Sequence, residues 1–149
     1  MLPSQADLAM AGQVLLAGLL AGAIGWQRHY VGRPAGLRTH ALVAMAAACF
    51  ALAGFRGFEG PGPHDPTRIA AQVASGVGFL GAGTIFRSRD RVLGLTTAAT
   101  LWLAAALGVL VVAGLAWIAI FTTLAAFAVL TLARLVERPA DDERWPVDD

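Results

Sequence analysis

A single cysteine, Cys49, stands in the 149 residues, and it lies inside an apolar run. No intrachain disulfide can form, and a small buried residue accounts for Cys49 better than a reactive thiol does. Charge is scarce: 14% of residues are charged, against about 25% in an average soluble domain. Between Asp7 and Glu137 the only carboxylates are Glu59, Asp65 and Asp90, and all three fall between the long apolar runs. There is no Cys/His cluster, no Walker loop and no G-x-S-x-G. The chain therefore offers no metal triad, no nucleophile–base pair and no carboxylate pair. An enzyme is not expected, nor is a cofactor, a bound metal or a nucleic-acid partner. Nor does a basic segment precede the first apolar run, where Asp7 is the sole charge. Leu8 onward is read as a retained span, not a cleaved signal peptide.

Apolar length is what the chain does have. It is 57% hydrophobic, with mean hydropathy +0.65. Its charges sit in short clusters between uncharged runs long enough to cross a bilayer. The expected fold class is an all-α integral membrane protein with spans at about 8–26, 37–55, 69–86, 95–112 and 115–135. The last two divide a run from Val92 to Ala133 that carries no charge. It is about twice what one span needs, and Ala113-Gly114 is its natural turn. In the first span Ala17, Ala21 and Gly25 recur at every fourth position, as do Gly18 and Gly22, which admits a close neighbour. Trp26 sits where an interfacial ring would.

Charge sets the expected orientation. Arg28, Arg33 and Arg38 flank the first loop, and Arg87, Arg89 and Arg91 the third. In the second, Arg56 and Arg68 are balanced by Glu59 and Asp65, while Arg134 and Arg138 follow the fifth span. By the positive-inside bias, loops one and three and the C-terminus are cytoplasmic and the N-terminus is outside. Residues 139–149 are acidic and proline-containing and are expected to be a disordered cytoplasmic tail.

The third span shows three faces at about 100° per residue. Asp65 and Pro66 mark its start as N-cap and first helical residue. Arg68, Gln72, Ser75, Gly76, Phe79 and Gly83 share a polar side. Ala71, Ala74, Gly78, Gly81 and Ala82 share a small side, and Ile69, Val73, Val77 and Leu80 an apolar one. The polar face is expected to point into protein or a wet cavity, the small face to pack closely, and the apolar face to meet lipid. Gly76, Gly78, Gly81 and Gly83 are the expected packing positions. Because one chain cannot easily shield both the polar and the small face, a homodimer is expected. The Ala74–Gly78–Ala82 stripe then lies at the dimer interface or against span one.

Candidate site residues each have a plainer reading beside the functional one. Arg38, Thr39 and His40 suit an anionic group or a partner at the cytoplasmic face; topology anchoring and capping explain Arg38 as well. Asp65 and Arg68 suit an ion-contacting pair at the outer mouth, or simply an N-cap and its neighbour. Gln72, Ser75, Thr96, Thr97 and Thr100 suit a polar interior, or plain interhelical hydrogen bonds. Trp102, mid-helix, is expected to pack or to plug. Magnesium prefers octahedral oxygen ligands and keeps several waters, so one loop carboxylate is a poor basis for a dehydrated magnesium path.

Three blocks carry a resemblance: Gly32 to His40 (GRPAGLRTH); Asp65-Pro66 with Arg68 to Val73 and Ser75 to Gly83 (SGVGFLGAG); and Gly94 to Trp102 (GLTTAATLW). In order and spacing they resemble the membrane domain of the MgtC/SapB family over about residues 8–136. The resemblance implies a multi-pass bacterial inner-membrane protein linked to magnesium limitation and, in pathogens, to virulence and intracellular survival. It implies a non-enzymatic regulator and, through some members, contact with the F-type ATP synthase. The other function it raises is a transporter or channel for magnesium, another cation or a small solute. Two departures are expected: Gln27 stands where many relatives carry glutamate, and the residues after Arg138 are not expected to form the ACT-type domain that some relatives carry.

Overall fold

A computed structural model describes residues 2–57, 65, 67–88 and 91–136. Glu59, His64, Pro66, Arg89, Asp90, Arg138 and the expected acidic tail lie outside the described residues. Helix α1 (Gln5–Tyr30) opens with a capping box. Ser4 Oγ accepts from the Asp7 N–H at 3.2 Å, and Asp7 Oδ2 accepts from the Ser4 N–H at 2.8 Å. Two otherwise orphaned amide donors are satisfied this way. Helix α2 (Leu37–Leu52) runs on into a π-helical turn at Ala53–Gly57. Helices α3 (Thr67–Ala82), α4 (Leu95–Val112) and α5 (Ala116–Val136) follow. Among the described residues four segments are long and apolar enough to cross a membrane: α1, Leu37–Arg56, α4 and Ala116–Ala133.

Helix α3 departs from the expected third span. It has 16 residues, about 24 Å of helix, and stops at Ala82 instead of running to 86. Thr84 closes it: both its N–H and its hydroxyl bond the Gly81 carbonyl, at 2.9 and 2.8 Å. The chain then forms a hairpin, strands β1 (Phe86–Ser88) and β2 (Arg91–Leu93), where a plain loop is expected from the sequence. Gly94 joins the hairpin to α4 with φ +88°, a left-handed conformation that L side chains rarely adopt. A Cβ there would also run into the Thr84 carbonyl.

Neighbour contacts give the helix directions. Gly18 of α1 lies against Met45, and Gly25 against Gly36 and Leu37, so α1 and α2 are antiparallel. His40 reaches Thr100 while Gly108 lies against Ala44 and Ala48, so α2 and α4 are parallel. Gly54 meets Ile69 and Gly81 meets Ala98, so α3 runs antiparallel to both over the same depth. The loop at 31–36 and the hairpin therefore lie at one end of the bundle. The partner of the small-residue face of α1 is α2: Ala17, Gly18, Ala21, Gly22 and Gly25 are all buried.

The core is made mostly of alanine. Ala17, Ala21, Ala44, Ala48 and Ala104 surround Ile24, Leu107 and Val111. Small side chains let helix backbones approach, which is how helices gain contact where lipid removes the hydrophobic drive between them. Gly108 is the tightest point: a Cβ there would collide with the Ala44 carbonyl and come within 2.9 Å of the Ala48 nitrogen. Helix α5 is peripheral. Trp117, Phe121, Leu124 and Leu132 are exposed, a surface that suits lipid.

The faces of α3 are the reverse of those expected. Val73 is buried, Ile69 and Val77 are half-buried, and all three pack with Ala47 and Ala105. The apolar face thus meets α2 and α4, not lipid, apart from the exposed Leu80. Gln72, Ser75, Gly76, Phe79 and Gly83 are exposed, as are Ala71, Ala74, Gly78 and Ala82. The Ala74–Gly78–Ala82 stripe does not lie against α1. Ile69, Val73 and Val77 fill the space that Ala47 and Ala105 leave between the helices, a packing gain that does not depend on removal from water.

Candidate functional site

Among the described residues, the buried polar side chains of α1, α2 and α4 gather at the loop 31–36 end, while Thr123 on α5 bonds the Ala119 carbonyl of its own helix. Helix α1 places its core residues at 17, 21, 24 and 28, a four–three–four spacing that keeps one stripe facing its neighbours. Where the stripe leaves the alanine core it becomes polar. Arg28 is 6% exposed and Gln27 beside it is 7% exposed. Arg28 and His29 sit in the last turn of α1, where cations complement the helix dipole. The Arg28 guanidinium is close enough to act electrostatically on the His40 ring. Neither polar atom of the Gln27 amide has a hydrogen-bond partner among the described residues.

His40 is fully buried (0% exposed) one turn into α2. Gly36, the N-cap of α2, has no side chain to cap with. Instead the Gly36 carbonyl takes two bonds from one residue: the His40 N–H at 3.2 Å and His40 Nδ1 at 2.9 Å. On the other side His40 Nε2 lies 3.0 Å from Thr100 Oγ1, which lies 3.0 Å from the Thr97 carbonyl. A carbonyl only accepts, so Nδ1 carries a proton. In the neutral ring Nε2 accepts, and the single Thr100 hydroxyl proton goes to it. In the imidazolium Nε2–H donates, and that hydroxyl proton turns to the Thr97 carbonyl. Either way the chain of bonds pins the first turn of α2 to α4.

The structure divides the candidate residues. His40, Thr97 and Thr100 come together; Arg38, Thr39 and Thr96, their sequence neighbours, are exposed. Gln72 and Ser75 do not join the threonines in a polar interior. They face outward from α3, because the aliphatic side of that helix takes the inner position. Trp102 is 54% exposed and neither plugs nor fills the core. Asp65 Oδ1 accepts from the Thr67 N–H at 2.9 Å and from the Thr67 hydroxyl at 2.6 Å, the geometry of a capping carboxylate. Arg68 is exposed one residue further on. Of the four packing glycines, Gly81 packs, with Ala98 at 3.5 Å. Gly76 and Gly78 face open space, and Gly83 has only carbonyls of its own helix end nearby.

Residues 27, 28 and 108 carry much of the site and the packing, yet from the sequence Gln27 stands out only as a departure from the family pattern and Arg28 only as a loop charge, while Gly108 does not stand out. The signal for the first two was the stripe spacing on α1, which runs past Ile24 into Arg28. Among the described residues no group of three His, Cys, Asp or Glu side chains is placed to hold a metal ion. The buried polar layer holds a guanidinium, an imidazole, an amide and two hydroxyls, and among the described residues no carboxylate.

The MgtC family model matches residues 14–139, which include every residue of this layer. The chain belongs to the MgtC family. It is 51% identical over 125 residues to protein MgtC of Brucella abortus (strain 2308), covering 84% of this chain and 50% of that one. It is 55% identical over 97 residues to protein MgtC of Salmonella typhimurium (strain LT2), covering 64% and 40%. It is 42% identical over 123 residues to YhiD of Escherichia coli (strain K12), covering 79% and 57%. The name of YhiD offers magnesium transport as a proposal for that protein. The chain spans about half the length of the curated relatives it matches. No solved structure matches it. With its apolar helices, this MgtC-family chain is a multi-pass membrane protein.

Proposed function

We propose that this chain is a non-enzymatic regulatory protein of the bacterial inner membrane, acting through protein contacts during adaptation to low magnesium. Virulence, intracellular survival and contact with the F-type ATP synthase belong to this reading through the family resemblance, an associational warrant. The observation that carries it is the makeup of the buried polar layer. Arg28 and His40 are its titratable groups, and it joins helices to one another. A path for Mg²⁺ needs oxygen ligands and tolerates no buried guanidinium at its centre.

Five spans with the N-terminus outside and the C-terminus cytoplasmic complete the reading. The support is geometric: loop 31–36 and the 86–93 hairpin share one end, and both are basic. Reporter fusions in the three loops test the orientation. A fusion within 58–64 that reports cytoplasmic exposure overturns it.

The second reading is a transporter or channel for magnesium, another cation or a small solute, favoured by the name of YhiD. Flux into liposomes holding the purified protein separates the two. The regulatory reading expects magnesium flux at the level of protein-free vesicles. Saturable flux abolished by Gln72→Leu sinks it.

A further inference from the structure

Helix α3 turns a guanidinium and an amide out of the bundle. Arg68 and Gln72 are exposed, and neither side chain hydrogen-bonds to a described residue. The nearby Asp65 carboxylate is engaged by the Thr67 N–H and hydroxyl. Four residues separate Arg68 from Gln72, so both lie on one side of the helix, with Gln72 about 6 Å further along its axis. Gln72 borders an apolar groove of about 610 Å³ between α2 and α3, lined also by Val43, Ala46, Phe50, Val73 and Val77. Gly76 leaves room in it, since a Cβ there would meet nothing within 4 Å.

Length and polarity say what fits. Along α3 the lining extends from Ile69 to Leu80, about 16 Å of helix. One leaflet of hydrocarbon is about 15 Å deep, so the groove has the length of one lipid chain. Among the lining residues Gln72 alone is polar, and it lies towards the Arg68 end. The far end closes on Leu42 and Leu80. A phospholipid has its parts in the same order. The layer of phosphates and esters is about 5–8 Å thick on each side of a bilayer, which matches the drop from Arg68 to Gln72. A phosphate at Arg68 gains a charge-assisted bond, and an ester carbonyl below it accepts from Gln72 Nε2. A bare hydrocarbon chain, or an apolar helix whose carbonyls are bonded within itself, would leave the amide unpaired.

We propose that the groove between α2 and α3 is a phospholipid site. The phosphate sits at Arg68, an ester at Gln72, and one acyl chain lies between the helices as far as Leu80. The ligand is a glycerophospholipid of the leaflet that meets the N-terminal end of α3. The site serves a regulator and a transporter equally.

The test uses the full chain in detergent micelles titrated with dioleoylphosphatidylglycerol, with the tightest-bound lipid followed by native mass spectrometry. Dioleoylglycerol, with the same chains and no phosphate, is the reference ligand. Arg68→Ala should weaken the phospholipid about five-fold, the effect of one interfacial cation, and leave dioleoylglycerol unchanged. Arg38→Ala, exposed on α2 at the opposite end, should change neither. Gly76→Phe places a ring in the open groove and should displace both ligands. In native membranes, Ala46→p-benzoylphenylalanine should label a lipid on irradiation. Unchanged phospholipid binding by Arg68→Ala overturns the proposal. So does a loss that follows Arg38→Ala instead, full binding by a Gly76→Phe chain, or labelling of a protein in place of a lipid.

Discussion

His40 Nε2 and Thr100 Oγ1 lie 3.0 Å apart across sixty positions of sequence, and both side chains are buried. This bond and the Gly36 contact on the other ring nitrogen hold α2 and α4 in register at their N-terminal ends. Along the rest of their contact, alanine and glycine permit close approach but supply little directional information.

Removing the hydroxyl should therefore cost more than its size implies. Thr100→Val keeps the shape and leaves Nε2 without a partner. We expect a loss of about 1–2 kcal/mol of unfolding free energy, with Thr100→Ser close to wild type. A double-mutant cycle with His40→Ala, read from unfolding in mixed micelles, should show coupling between the two sites. Simple additivity would mean the bond contributes nothing.

Gly108 and Gly76 make a matched pair of opposite expectation. A side chain at Gly108 meets the backbone of α2 at Ala44 and Ala48, which cannot yield. Gly108→Ala should cost about 1–3 kcal/mol. Gly76→Ala enters open space and should stabilise the helix by up to about 1 kcal/mol through propensity alone. Thermal melting of the two purified variants decides it, and equal midpoints would contradict the packing described.

Gln27 gives a prediction of unusual sign. Its amide is buried with neither polar atom paired among the described residues. Burying an unpaired amide costs about 1–3 kcal/mol. Gln27→Leu, of similar size, should accordingly raise stability by that order. A destabilised Gln27→Leu protein would show that the amide is held by a bond, and hydrogen exchange at the α1 C-terminus would then locate the change.

Element positions were legible in the sequence because they depend on local quantities. Uncharged run length placed α1, α2, α4 and α5 to within a few residues. The Ala113-Gly114 turn, the Asp65 cap and the small stripe on α1 were equally readable. Spacing in the three ordered blocks was sufficient to point to the family. What the sequence could not determine is which face of α3 looks inward. Its polar, small and apolar sides are all present in one sequence, and only the neighbours decide among them. Once α2 and α4 lie parallel, pinned at His40 and Thr100, their outer sides offer Ala47 and Ala105, and the aliphatic side of α3 packs there. Gln72 and Thr100, candidates for one polar interior by residue type, are thereby sent to opposite sides of the bundle wall. Burial of Arg28 and Gln27 has the same origin: it follows from Gly25 meeting the Gly36–Leu37 backbone, a contact between helices that no single run of sequence contains.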